Sequence, residues 1–242
     1  MQKTQLAFVV VFDIAKRNCR AGVLCGLFFC NASRKNAVFG DAERRKLMMT
    51  AKRNYVRVLA ECAIMLALAF ALSFIGFEMP MGGKVTPASM LPLFLLAIHL
   101  GVSSTVFTTA LYALLQIWQA YLAGNVFVYC QDGLTLALCV IFDYVLPFTV
   151  PFIITALFAK IWKKTEKEFF IYVGMVGGLI LRFVFHFISG ILIWGQWAED
   201  MTPALYSFLY NGTFMLPELV ITVAIAFFLL RNREIKRLVR YK

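Results

Sequence analysis

The stretch FFIYVGMVGGLILRFVFHFISGILIWG, residues 169–195, decides the class of fold. Arg182 and His186 are its only basic side chains, and it contains no acidic residue. An α-helix needs about 20 consecutive, predominantly apolar residues to cross the roughly 30 Å hydrocarbon core of a bilayer. This stretch therefore predicts a transmembrane helix.

Four other apolar runs are long enough to cross a bilayer, and a fifth is short. The long runs are 55–76, 102–123, 133–159 and 205–230, and the short one is 87–100. The chain has 242 residues, of which 61% are hydrophobic and 15% charged, whereas soluble domains are about 45–50% apolar and about 25% charged. Its mean hydropathy of +0.77 agrees. These values exclude a soluble enzyme or a soluble nucleic-acid-binding protein and predict an all-α integral membrane protein.

The positions of the basic residues predict how the chain crosses the membrane. All of the 24 Lys and Arg residues except Lys84 and Arg182 lie before Val58, within 160–167 or after Leu230. Basic clusters beside apolar spans lie on the cytoplasmic side. Three cytoplasmic clusters require an even number of crossings, so we predict six transmembrane helices, with 87–100 as the second and both termini inside. The net charge of +11 then reflects topology and predicts no nucleic-acid partner.

Residues 1–48 contain no segment that fits the predicted arrangement of six transmembrane helices. Their two apolar runs, Leu6–Val11 and Ala21–Cys30, are too short to span a bilayer. We predict that residues 1–48 are a non-native or disordered N-terminal extension and that the native chain begins at Met48 or Met49. Residues 49–242 then form the six-helix membrane domain.

The motifs of enzymes and metal sites are absent from the sequence. The six cysteines form no CxxC pair and have no nearby histidine, which argues against a zinc site. HExxH, GxSxG and the GxxxxGK[ST] ATPase motif are also missing. We therefore expect no cofactor in this chain, and any energy for pumping must be supplied from elsewhere.

Asp143 lies within an apolar span, where an ionisable side chain is a functional hypothesis by default. It must face protein, a cavity or a cation, and the structural alternative is an ion pair with Arg182. Tyr144 follows it, and Pro147 and Pro151 then interrupt the helix, which commonly opens backbone groups beside a cavity.

The fifth predicted helix carries a polar stripe with a spacing of four residues. The stripe consists of Arg182, His186, Gly190 and Trp194. Each step of four residues turns the helix only about 40° past a full turn, so neighbouring members of the stripe share a face. Alone, Trp194 is equally typical of an interfacial belt, and His186 of an interhelical hydrogen bond. Their combination favours a functional face.

The first predicted helix carries Ala63, Ala67 and Ala71 at steps of four. Such a ridge of small residues lets another helix approach closely, although ordinary packing is an equal alternative. Glu61 precedes the ridge and has Arg57 as a candidate partner one turn away.

Four blocks of sequence together resemble the thiamine-specific substrate-binding (S) component of energy-coupling factor (ECF) transporters. The resemblance covers about residues 55–230. The blocks are Ala63-x3-Ala67, Phe142-Asp143-Tyr144, Phe185-His186-Phe187-Ile188-Ser189-Gly190-x3-Trp194-Gly195 and Tyr206-Ser207-x2-Tyr210-Asn211-Gly212.

The resemblance implies six helices in a prokaryotic cell membrane and a high-affinity thiamine pocket near the outer face. It also implies two kinds of partner: a transmembrane scaffold (T) subunit, which Ala63, Ala67 and Ala71 would face, and two cytoplasmic ATPase subunits. The chain departs from the family in having Asp143 where glutamate is common and no aromatic residue in Glu78–Lys84. The implied ligand-binding residues are Asp143, Tyr144, His186, Gly190, Trp194, Tyr206 and Asn211.

These residue types suit thiamine, which joins a cationic thiazolium to a flat aminopyrimidine. An indole face attracts a cation, a carboxylate accepts a hydrogen bond from an amine, and an amide offers both a donor and an acceptor. Two alternatives stay open. One is an S component for another vitamin or precursor, such as a pyrimidine precursor or riboflavin. The other is a membrane-embedded enzyme that uses His186 and Asp143 as acid–base partners.

Overall fold

The protein is almost entirely helical in the residues described by a computed structural model, which are 41–124, 129–130, 132–198 and 200–240, with side chains from Tyr55 onward. The tertiary contacts discussed below lie within residues 57–242, one compact unit. The elements are α1 (Asp41–Ser73), β1 (Phe77–Glu78), β2 (Lys84–Val85), α2 (Leu91–Leu100), α3 (Val102–Ala123), α4 (Gly133–Cys139), a π-helix (Val140–Val145), α5 (Val150–Thr165), α6 (Phe169–Leu192), a 3₁₀ helix (Trp194–Trp197), α7 (Pro203–Arg231) and α8 (Arg233–Arg240).

Residues 1–40, which form most of the predicted N-terminal extension, lie outside the described residues. The predicted start at Met48 or Met49 falls inside α1, whose described backbone begins at Asp41. The extension and the start site stay predictions.

Five helical segments are long and apolar enough to cross a membrane: Tyr55–Ser73, Val102–Ala123, Gly133–Thr165, Phe169–Leu192 and Pro203–Arg231. The predicted class, an all-α integral membrane protein, is therefore confirmed. The second predicted span, 87–100, corresponds to α2, which has only 10 residues and at 1.5 Å per residue rises about 15 Å. Pro92 at its start and Gly101, with a φ of 83°, at its end limit its length. The number of full crossings, six, stays a prediction.

The predicted span 133–159 is interrupted where its two prolines lie. The chain passes from α4 through the π-helix and a turn into α5. Pro147 lies in the turn, and Pro151 lies in the first turn of α5, where its missing N–H has no helical partner to lose. The π-helix carries Asp143 and Tyr144, and π-helical turns inside α-helices are frequent at functional sites.

Glycines allow α6 to pack closely against both of its neighbours. A Cβ at Gly178 would lie 2.6 Å from the Pro151 carbonyl oxygen of α5, and a Cβ at Gly190 would overlap Ser207 of α7. Small residues at helix contacts are how membrane helices gain close packing. α6 is thereby fixed between α5 and α7, the helix that carries Asn211.

The loop predicted between the first two spans contains a short β-hairpin. Strand β1 pairs with β2 in antiparallel register, Phe77 with Val85 and Glu78 with Lys84. Gly82 and Gly83 have φ values of 90° and 78°, and a Cβ at either would collide with the aromatic ring of Tyr210 or Phe214, respectively, on α7. The hairpin therefore lies directly on α7.

Candidate ligand-binding site

A cavity of about 530 Å³ lies between the hairpin, the π-helix, α6 and α7. Its volume is in the range of small-molecule sites. The structure brings all seven predicted ligand-binding residues to its wall, and their role in binding stays a prediction. The lining residues are Lys84, Tyr129, Asp143, Tyr144, Phe148, His186, Gly190, Trp194, Tyr206, Ser207, Tyr210, Asn211 and Phe214.

Asp143 is the polar centre of the cavity wall. Its Oδ1 lies 3.1 Å from Nδ1 of His186, and its Oδ2 accepts hydrogen bonds from Ser189 Oγ at 2.7 Å and Trp194 Nε1 at 3.0 Å. The side chain is 14% exposed. A buried carboxylate needs such partners. The indole N–H of Trp194 therefore bonds inside the protein, unlike that of a belt residue at the lipid surface.

Arg182 does not pair with Asp143, so the structural alternative proposed from the sequence is wrong. Its Nη1 donates to Oε2 of Glu218 on α7 at 2.6 Å, while Thr86 Oγ1 donates to Oε1 of the same carboxylate at 2.7 Å. Glu218 is 1% exposed. Arg182 lies one turn before His186 on α6, where its guanidinium reaches Glu218, whereas His186 reaches Asp143.

The predicted stripe on the fifth span is only partly helical. Arg182, His186 and Gly190 belong to α6, which ends at Leu192. Trp194 opens the 3₁₀ helix that follows, so its position depends on the change in helix type. It still reaches Asp143, because this short helix lies beside the cavity.

Asn211 ties α7 to α6 beside the cavity. Its Nδ2 donates to the His186 carbonyl oxygen at 3.2 Å and to that of Ser207 at 2.9 Å. Ser207 Oγ in turn donates to the Phe187 carbonyl oxygen at 2.8 Å. No hydrogen bond to Asn211 Oδ1 occurs among the described residues, so this acceptor is available to a ligand.

Aromatic rings form much of the remaining wall. Tyr206 and Tyr210 have centroids 5.8 Å apart, and Tyr210 and Phe214 5.9 Å apart. Tyr129 packs edge-on against Trp194 at 6.4 Å and Trp197 at 5.4 Å. Electron-rich ring faces around a cavity attract organic cations.

Sequence reasoning missed several residues of the site. Tyr210 and Phe214 follow Tyr206 at helical steps of four, a signal that was present in the sequence. Phe148 and Ser207 are unremarkable in apolar spans, while Tyr129 and Lys84 come from connections without periodicity. Lys84 donates from Nζ to the Phe74 carbonyl oxygen at 2.8 Å, just past the end of α1.

The structure leaves the predicted alanine ridge away from the cavity. Ala63, Ala67 and Ala71 are all exposed on α1. The pairing of Glu61 with Arg57 is confirmed at 2.8 Å, and His99 of α2 lies 3.3 Å from the same carboxylate. Within the part of the chain that the structure describes, no group of three or more His, Cys, Asp or Glu could hold a metal ion.

The fold and the cavity define a multi-pass membrane protein with a polar, aromatic-lined site for a small ligand. Comparison with known proteins identifies it further. The sequence profile of the thiamine transporter protein family (Thia_YuaJ) matches residues 59–238. The chain belongs to this family, which is a family of transport proteins and not of enzymes.

Individual relatives agree with the family match. The chain is 32% identical over 183 residues to the thiamine transporter ThiT of Bacillus subtilis (strain 168), covering 72% of this chain and 89% of that protein. It is 24% identical over 175 residues to ThiT of Lacticaseibacillus paracasei, covering 69% and 84%. The solved structure of ThiT from Listeria monocytogenes superposes with a TM-score of 0.60, at 24% identity, over 75% of this chain and 97% of that one, and shows the shared fold.

Proposed function

We propose that this protein is the thiamine-binding S component of an ECF-type vitamin uptake transporter. Family membership supports a transporter of thiamine. One observation within the site carries the assignment of residues: a carboxylate oriented by three donors in an aromatic cavity. That arrangement suits a ligand that is both cationic and aromatic and that carries an amine.

The hydrogen-bonding capacity of Asp143 leaves room for one ligand group. A carboxylate has about four acceptor positions, and His186, Ser189 and Trp194 occupy three of them. The Cys139 thiol is a further hydrogen-bond partner of this carboxylate, and a thiol is a weak donor that the exocyclic amine of an aminopyrimidine would replace. Asn211 Oδ1 offers a second acceptor, so two oxygens can receive the two hydrogens of such an amine.

The aromatic residues would hold the cationic half of thiamine. A ring face within about 6 Å of a cation contributes about 0.5–2 kcal/mol, depending on desolvation. Trp194, Tyr206, Tyr210 and Tyr129 all line the cavity. Tyr129 would supply the aromatic contact that the loop Glu78–Lys84 lacks.

Ion pairs at one end of the bundle support the proposed orientation, with both termini in the cytoplasm. Lys236 and Arg240 of α8 pair with Glu168 and Glu166 beside the α5–α6 connection. Lys163 also donates to the carbonyl oxygen of His99, whose ring contacts Glu61 of α1. One described cation from each cluster, Arg57, Lys163 and Lys236, is thus connected to the same set of contacts, which supports an even number of crossings.

Energy would come from partner subunits, because the sequence contains no ATPase motif. We propose that a transmembrane T subunit and two cytoplasmic ATPases complete the transporter in a prokaryotic cell membrane. The exposed ridge of Ala63, Ala67 and Ala71 would give the T subunit a surface for close helix contact.

Binding of thiamine to the purified protein tests this proposal. We expect Asp143→Ala and Trp194→Ala each to weaken binding at least about tenfold, which corresponds to about 1.4 kcal/mol. Trp118→Ala is the matched control, because Trp118 is 52% exposed on α3 and lies outside the cavity lining. Unchanged affinity in both cavity variants would refute the site, and competition by riboflavin or a pyrimidine precursor would favour another vitamin.

A further inference from the structure

Helix α8 is an eight-residue helix held against the end of the membrane bundle. It begins immediately after Asn232, whose Oδ1 accepts a hydrogen bond from the Glu234 N–H at 2.9 Å. Val239 of α8 is 7% exposed and belongs to the main hydrophobic core. Together with the ion pairs of Lys236 and Arg240 to the α5–α6 connection, this anchoring keeps the helix at the level where α7 leaves the membrane.

Outside this anchor, α8 exposes two basic residues. Arg233 and Arg237 are one turn apart, so their side chains are neighbours on the helix surface. Both are exposed, and neither has an acidic partner among the described side chains. Leu238 beside them is 66% exposed. An amphipathic helix with cations and an exposed apolar residue next to a membrane span is typical of an interfacial helix.

The charge balance at this end of the bundle favours an anionic partner. Its carboxylates Glu61, Glu166 and Glu168 are already engaged in ion pairs, which leaves Glu234 as the remaining acid among the described residues there. Exposed cations also lie on the segments that adjoin α8, at Lys167 between the paired Glu166 and Glu168 and at Arg231 at the end of α7. Clusters of this kind next to a transmembrane helix attract acidic lipids.

We propose that the outer face of α8, formed by Arg233, Arg237 and Leu238, binds an anionic phospholipid headgroup of the phosphatidylglycerol type. The two guanidinium groups hold the phosphate, and the leucine side chain enters the acyl region. Guanidinium groups suit this role because they present several donors to phosphate oxygens in a fixed geometry. The contact would fix α8 in the plane of the membrane surface.

Native mass spectrometry of protein released from mixed phosphatidylglycerol and phosphatidylcholine nanodiscs tests this proposal. We expect the wild type to retain phosphatidylglycerol preferentially and the double variant Arg233→Gln, Arg237→Gln to lose the preference, since each surface arginine raises the affinity about fivefold. The matched control is Lys160→Gln, Lys164→Gln, which removes two exposed cations with the same spacing on α5 and should keep the preference. Equal loss in both double variants, or no loss in the α8 variant, would overturn the proposal.

A second measurement does not depend on removing the arginines. Leu238→Trp places a fluorophore on the proposed face, and its emission is obtained by subtracting the wild-type spectrum. Brominated phosphatidylglycerol should quench it more strongly than brominated phosphatidylcholine does. Equal quenching by the two lipids would contradict the proposal. If ATPase subunits bind this face instead, the α8 double variant will fail to co-purify them while its lipid preference is unchanged, which would also overturn it.

Discussion

Replacing Gly190 by alanine tests the contact on which the geometry of the cavity depends. Gly190 lies on α6 directly against Ser207 of α7. A Cβ there would overlap Ser207 Oγ and would lie 2.6 Å from Ser207 Cβ and 3.3 Å from Asn211 Nδ2. Carbon atoms pack at about 3.5–4.0 Å, so α6 and α7 would have to separate by about 1 Å.

That separation would break the bonds that join the two helices at the site. Ser207 Oγ donates to the Phe187 carbonyl oxygen at 2.8 Å, and Asn211 Nδ2 donates to that of His186 at 3.2 Å. Each is worth about 1 kcal/mol, and overpacking adds about 1–3 kcal/mol. We expect the free energy of unfolding to fall by about 2–5 kcal/mol and thiamine affinity to fall at least about tenfold.

Thermal unfolding and calorimetric titration with thiamine, both in detergent, measure these effects. Gly177→Ala is the control on the same helix, because a Cβ there meets no atom within 4 Å. It should leave binding unchanged and stabilise the helix slightly, by up to about 1 kcal/mol. Wild-type affinity in Gly190→Ala would refute the close contact, and equal damage in both variants would show that the effect is not specific to this crossing.

Three further outcomes are expected. Glu218→Ala removes the carboxylate from a buried ion pair and should lower the free energy of unfolding by about 3–5 kcal/mol; a melting temperature equal to wild type would contradict this. Ala63→Trp and Ala67→Trp should abolish uptake by cells but leave thiamine binding by the purified subunit intact, and normal uptake would show that the ridge is not a partner contact. Hydrogen bonds from Thr135 lower the pKa of Asp132. The ionised carboxylate therefore stabilises the folded protein above about pH 4, and this contribution is lost as the pH falls. The difference in melting temperature between wild type and Asp132→Ala should therefore shrink between about pH 5 and pH 3, and a constant difference would count against the contact.

The sequence predicts the transmembrane spans well because lipid imposes a simple rule. A crossing segment must satisfy its backbone hydrogen bonds internally, so a long apolar run becomes a helix. The run 102–123 matches α3, and 169–195 and 205–230 end within three residues of α6 and α7. The rule does not predict features that depend on contacts between helices. Pro147 and Pro151 predict the interruption of 133–159, but not the π-helix that precedes them, and the length of 87–100 predicts a short span, but not a helix of only 10 residues.

The sequence also identifies polar residues of the site without their partners. Asp143 and His186 are ionisable residues inside long apolar spans, and this position predicts that they belong to a functional site. Both Asp143 and Glu218 are acidic residues within apolar spans, so the sequence does not decide which of them pairs with Arg182. The packing of α6 against α7 places Glu218 beside the arginine. Tyr129 comes from a connection whose position follows from long-range folding rather than from local pattern.

Titration of thiamine into the purified protein, followed by isothermal calorimetry, tests the central claim most directly. We expect saturable binding of one thiamine per chain with a Kd below about 1 μM. The chain should not convert thiamine, and Asp143→Ala should weaken binding at least about tenfold. Absence of binding by the folded wild type, or equal affinity for riboflavin, would contradict it.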